Sequence, residues 1–130
     1  MASDLLESST VPAVLVVDDE GAVRDFVRIA LSHAGYAVFS ATDAQHALEV
    51  FLANPLRFSL VLTDVRMPGR SGVDLAADIH NANPNVPVVF MSGFLGGTPR
   101  QPVALPLGAT VLEKPFTLDS LIQLIKQSIA

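Results

Sequence analysis

Apolar residues recur along this chain with two alternating rhythms. Val14-Leu15-Val16-Val17 is a continuous, β-branched run that stops at Asp18-Asp19, as a strand buried on both faces would. Behind it Val23, Phe26, Val27, Ala30 and Leu31 fall on one helical stripe, and Gly35 stands where a helix end turns left-handed. A first helix is therefore predicted from Glu20 to Ala34. The alternation repeats with a strand at Ala37 to Ser40, a helix from Asp43 that turns Ala44, Ala47, Leu48 and Phe51 inward, and a strand at Ser59 to Thr63. Ser71 can cap a helix bearing Val73, Ala76 and Ile79, and "VPVVFM" supplies a fourth strand, with Pro87 tolerable only near its start. A fifth strand at Ala109 to Leu112 and a last helix from Thr117 follow, the helix with Leu118, Leu121, Ile122, Ile125 and Ile129 inward.

Strands alternating with helices imply right-handed crossovers and a parallel sheet covered on both faces, a doubly wound α/β domain. One stretch breaks the alternation. Between the fourth and fifth strands lie Gly96-Gly97, Pro99, Pro102 and Pro106, and prolines at that spacing cannot all sit inside a helix. From Gly93 to Leu107 at most one turn of helix is expected, so the fourth helix of the pattern is short or irregular.

The 130 residues fit one domain, and a hydrophobic content of 50% is enough for a sizeable core. Eight basic against 13 acidic residues leave a net charge of -5, which disfavours nonspecific contact with nucleic acid or an anionic membrane. Without cysteine there is no disulfide framework, no thiolate nucleophile and no Cys-based zinc site, which suits a cytoplasmic location. The apolar runs are too short for membrane insertion, and "MASDLLESST" lacks the basic start of a secretory signal. Residues 1–11 read as a flexible N-terminal tail and 12–130 as the folded domain.

In a doubly wound sheet, ligands bind outside the carboxyl ends of the strands. Those ends carry Asp18-Asp19, Asp64, Ser92 and Glu113-Lys114-Pro115. Converging carboxylates repel one another unless a cation neutralises them, and a small oxygen-loving ion such as Mg2+ (or Mn2+) fits that need. Lys114 adds a point positive charge and Ser92 a hydroxyl, which together suit a phosphoryl group on Asp64. Each residue also has a plainer reading. The Asp18-Asp19 pair could cap the first helix, Asp64 and Ser92 could serve turns, and Lys114 could be a solvated surface lysine.

The ordered set "DD" at 18 and 19, "TDVRMPGRSG", "MSG" and "EKPF" resembles the receiver domains of bacterial two-component response regulators, over Val14 to Ile129. The resemblance implies a flavodoxin-like, five-stranded parallel sheet in the order 2-1-3-4-5 with helices on both faces. It also implies a signalling module rather than an enzyme, in which Asp64 accepts a phosphoryl group from a histidine kinase, a histidine phosphotransfer protein of a phosphorelay, or a small phosphodonor. Asp19 and Asp64 would bind Mg2+ by side chain, Asp18 through water and Arg66 through its backbone carbonyl. Ser92 and Lys114 would contact phosphoryl oxygens, and the Lys114-Pro115 bond would be cis. A downstream protein effector is implied in turn. The closing pattern resembles receivers at the C-terminus of hybrid histidine kinases, and a single-domain regulator fits as well.

Two positions depart from the pattern. Family members often place an aromatic switch residue where this chain has Val111, and the Pro/Gly-rich segment replaces a regular helix. Two other functions compete. A phosphatase with an aspartyl nucleophile would resemble D-x-D, but Arg66 stands two residues after Asp64. An interaction domain that never receives phosphate would not need every acid, the hydroxyl and the lysine. His33, His46 and His80 fall on separate predicted helices without metal-ligand spacing.

Overall fold

A computed structural model describes residues 11–93 and 104–129. In chain order the elements are β1 (Ala13–Val17), α1 (Gly21–His33), β2 (Ala37–Ala41), α2 (Ala44–Ala53), β3 (Phe58–Asp64), α3 (Gly72–Ala82), β4 (Val88–Gly93), β5 (Thr110–Lys114) and α4 (Leu118–Ile129). All strand pairs are parallel, in the sheet order β2-β1-β3-β4-β5. The expected tail falls mostly on residues 1–10, which lie outside the described residues, as does the core of the Pro/Gly-rich segment, 94–103. Past it, Ala109 N–H donates to the Pro106 carbonyl at 3.1 Å, closing a turn into β5.

Alternation along the strands divides the core between the two faces. On one side Leu15, Val17 and Val61 pack with Phe51 of α2 and with Leu75 and Ile79 of α3. On the other Val14, Val16, Leu60 and Leu62 meet Val27 and Leu31 of α1 and Leu121 and Ile125 of α4. A smaller cluster joins Val65, Ala76 and Phe90, with Leu105 and Val111 against it.

The caps follow the sequence at two helices. Asp43 accepts the His46 N–H at 2.8 Å, and Ser71 and Asp74 form a reciprocal capping box at the start of α3. At α1 the sequence suggested Asp18 or Asp19 as a cap, but Glu20 holds that position and makes no side-chain cap bond. Two residues expected inward are largely exposed, Phe26 at 42% and Leu118 at 51%. The apolar stripes of α1 and α4 are wider than the faces the sheet can cover, so their margins remain open.

β3 and α3 meet with no space to spare. A Cβ built on Gly72 would lie 2.1 Å from the Asp64 carbonyl oxygen, which is backbone and cannot move aside. In an open helix alanine would gain up to about 1 kcal/mol over glycine. At this junction the clash dominates, so Gly72→Ala is expected to destabilise by about 2 kcal/mol, read from the urea midpoint. An unchanged or raised midpoint would contradict the close approach.

Candidate functional site

Parallel pairing places Val17 of β1 beside Thr63 of β3 and Asp64 beside Met91 of β4. The chain therefore delivers Asp18 and Asp64 to the same edge of the sheet. Asp18 is fully buried and Asp64 nearly so, while Asp19 is exposed. One carboxylate oxygen from each of the three lies within 4.8 Å of the others.

Asp18 is held in several directions. Its N–H donates to the Ala41 carbonyl at 3.3 Å, and its Oδ1 accepts the Glu20 N–H at 2.9 Å. Its carbonyl accepts from the Arg24 guanidinium at 2.7 Å, and its Oδ2 accepts from Lys114 Nζ at 2.6 Å. Lys114 also stands 3.5 Å from Asp64 Oδ2 and 3.6 Å from Glu20 Oε1. The plain reading of Lys114 as a solvated surface lysine therefore fails, since its side chain is only 12% exposed and its ammonium touches three carboxylates.

Burial sets the protonation of Asp64. Loss of water pushes its carboxyl up, the Lys114 charge pulls it back and the charges of Asp18 and Asp19 push it up again, which together raise it from 3.8 to about 6. Burial alone would lower the Lys114 ammonium, but the hydrogen bond it donates to Asp18 and the charges of Asp64, Asp18 and Glu20 carry it above its ordinary value. An oxygen-only set of three carboxylates, with Asp19 open to solvent, fits a hard divalent cation in place of or beside the ammonium.

The remaining candidates have simpler surroundings. Ser92 sits half-buried in β4 opposite Glu113, Arg66 is exposed on the loop after β3, and the Lys114-Pro115 peptide is cis. Val111 pairs with Phe90 and packs in the small cluster of Val65 and Ala76. The three histidines lie exposed on α1, α2 and α3. Arg24, Glu20 and Thr63 were not singled out from the sequence. A hydroxyl directly after the apolar Leu60-Val61-Leu62 run, next to Asp64, was the signal that could have marked Thr63.

Comparison with known proteins agrees with this geometry. The family model for the response regulator receiver domain matches residues 14–126, and the chain belongs to that family. It is a receiver domain of two-component systems, a class of signalling modules that are generally non-enzymatic and bind Mg2+ at an acidic pocket. Among its relatives is the transcriptional regulatory protein FixJ of Bradyrhizobium diazoefficiens, 37% identical over 117 residues, which cover 89% of this chain and 56% of FixJ. The response regulator receiver protein CpdR of Brucella abortus is 33% identical over 114 residues, covering 88% of this chain and 93% of CpdR. The solved receiver domain of the hybrid histidine kinase CckA superposes with a TM-score of 0.78 at 31% identity, covering 91% of this chain and 99% of that one. This chain spans about half the length of the first curated relatives it matches.

The elevated Asp64 carboxyl has a consequence for stability without metal. The folded state holds that proton more tightly than the unfolded state, so stability is fully present below pH about 4 and falls as the pH rises towards about 6. In EDTA at pH 7, Asp64→Asn is expected to stabilise the protein by about 2 kcal/mol, and the difference should vanish below pH 4. Urea unfolding at a series of pH values measures it. A destabilised Asp64→Asn at pH 7 would show that the carboxylate is not under strain.

Proposed function

We propose that Asp64 is the phosphoacceptor of this receiver. The observation that carries the reading is the meeting of Asp18, Asp19, Asp64 and Lys114 at the carboxyl ends of β1, β3 and β5, with Asp64 ending the central strand. An Asp64 carboxylate oxygen attacks the phosphorus of a phosphohistidine on a kinase or phosphotransfer protein. A P–O bond forms, the P–N bond breaks, and its electron pair returns to the imidazole, which takes up a proton. A small phosphodonor serves by the same displacement, so self-phosphorylation and slow self-dephosphorylation belong to the reading.

In this scheme Asp19 and Asp64 would hold Mg2+ by side chain, Asp18 through water and Arg66 through its carbonyl, and the ion would supply positive charge to the phosphoryl oxygens. Lys114 leaves Asp18 to contact one phosphoryl oxygen, and the Ser92 hydroxyl donates to another. Asp64 must be ionised to attack, and positive charge in the pocket lowers its raised pKa towards the value that attack requires.

A docking partner has a surface to meet beside the site. Ala22, Val23 and Phe26 of α1 with Pro115 and Phe116 line a hollow of about 230 Å³, and Phe26 continues into an apolar groove of about 400 Å³ between α1 and α4. That surface supports a protein partner, kinase or phosphotransfer domain, close to the acid cluster. Among the described residues no helix is long and apolar enough to cross a membrane, which is compatible with a cytoplasmic domain. Output through a downstream effector would use a route other than an aromatic at Val111.

Incubation with Mg2+ and acetyl phosphate, followed by intact-mass measurement, tests the assignment. The wild-type chain should gain one phosphoryl group and Asp64→Asn none; an equal gain in both would move the acceptor elsewhere. In a Mg2+ titration, Asp19→Ala should weaken binding at least tenfold and Asp18→Ala less, because the first removes a direct ligand (order of magnitude about 10–100-fold). Equal affinity in both variants and the wild type would remove the acid pair from the metal site.

A further inference from the structure

We infer that Thr63 is a positioning residue for phosphoryl transfer: its hydroxyl, with the bare Cα of Gly72, fixes the Asp64 backbone and so the direction of the nucleophilic carboxylate. The inference rests on the phosphoacceptor reading and adds to it a residue outside the acid cluster.

Among the described residues the buried polar or charged side chains are Asp18, Asp64 and Thr63. Two are acids of the site, which leaves Thr63 as the uncharged one. It is fully buried, flanked in register by Val17 of β1 and Phe90 of β4. Val61, two residues earlier on the same strand face, packs in the apolar core. Valine at 63 would keep the β-branched shape and avoid the cost of burying a hydroxyl, so packing alone does not call for threonine.

The hydroxyl has a specific partner. Thr63 Oγ1 donates to the Asp64 carbonyl oxygen at 3.0 Å. Across that oxygen stands Gly72, where an added Cβ would come within 2.1 Å of it and 3.1 Å of Thr63 Oγ1. The other end of the same peptide is held too, since the Val65 N–H donates to the Met91 carbonyl of β4 at 3.0 Å. Gly72 N–H in turn donates to the Val65 carbonyl at 2.9 Å, tying the start of α3 to the strand.

The Asp64-Val65 peptide plane is thus fixed at its oxygen by Thr63, at its nitrogen by Met91, and sterically by α3. With that plane fixed and β3 paired on both sides, the Asp64 carboxylate is kept within 4.8 Å of those of Asp18 and Asp19 and 3.5 Å from Lys114 Nζ. In-line attack on phosphorus tolerates little error, and a displacement of about 1 Å can cost up to a hundredfold in rate. Without the hydroxyl the plane can tilt and the carboxylate explores directions from which attack is unproductive.

The test compares Thr63→Val, which removes the hydroxyl and keeps the shape, with Thr63→Ser, which keeps the hydroxyl. Each is mixed with Mg2+ and phosphoramidate and followed by intact mass, reading both the rate constant and the final extent of modification. A structural role lowers the extent by leaving some chains unfolded, whereas a positioning role lowers the rate constant at full extent. Thr63→Val is expected to react about tenfold more slowly at full extent, with Thr63→Ser within about twofold of wild type. The Val65 amide resonance should move in Thr63→Val and stay in place in Thr63→Ser. Thr63→Val reacting at the wild-type rate, or Thr63→Ser as slow as Thr63→Val, overturns the inference. Should Thr63→Val not fold, Thr63→Ala against Thr63→Ser makes the same comparison. A wild-type chain that gains no mass would sink the phosphoacceptor reading itself, which a Thr63→Val chain as fast as wild type would leave standing.

Discussion

The electrostatic crowding at the edge of the sheet governs most of what surrounds it. Carboxylates from the two residues after β1 and from the end of β3 approach within 4.8 Å, and two of them are buried. Such charges are tolerated only when each oxygen has a partner and the net charge is offset. The Lys114 ammonium supplies the offset from the far side of the sheet, and Arg24, Glu20 and Ala41 fix Asp18 from its own side. The fold is arranged around that requirement. β3 runs through the middle of the sheet so that Asp64 emerges between β1 and β4, and β5 ends at Lys114 so that one long side chain can reach back.

The sequence carried the sheet and the helices because their signals are local and redundant. The run at Val14 to Val17 and the stripes of Val27 with Leu31 and of Leu121 with Ile125 became core as their periods implied. Where the sequence misled, the cause was context. Phe26 and Leu118 have the spacing of inward residues, but a stripe records hydrophobicity and not the width of the face that receives it. Asp18 has the composition of a helix cap, yet register carries it into the site and leaves the cap position to Glu20. The cluster of Asp18, Asp19, Asp64 and Lys114 was legible because topology alone brings strand ends together. Thr63 and Gly72 were harder to read, since their contact is a matter of tenths of an ångström between a backbone oxygen and a missing side chain.

Family membership and geometry divide the explanation between them. Membership accounts for the acid pocket and the lysine, features of the strand ends. It does not account for the packing on the face of β4 and β5. There Val111 lies against Phe90, and Leu105 completes the cluster from the turn before β5. At the β3–α3 junction the Asp64 carbonyl rests directly on the start of α3.

The central claim is that burial and crowded charge, partly offset by Lys114, hold the Asp64 carboxyl above its ordinary range until a cation enters. A carbon-13 NMR titration of the Asp64 side-chain carboxyl, run in EDTA and again with saturating Mg2+, measures this directly. The account predicts a midpoint of about 6 without metal, and a clear fall when Mg2+ is added. A midpoint near 4 that does not respond to Mg2+ would contradict it.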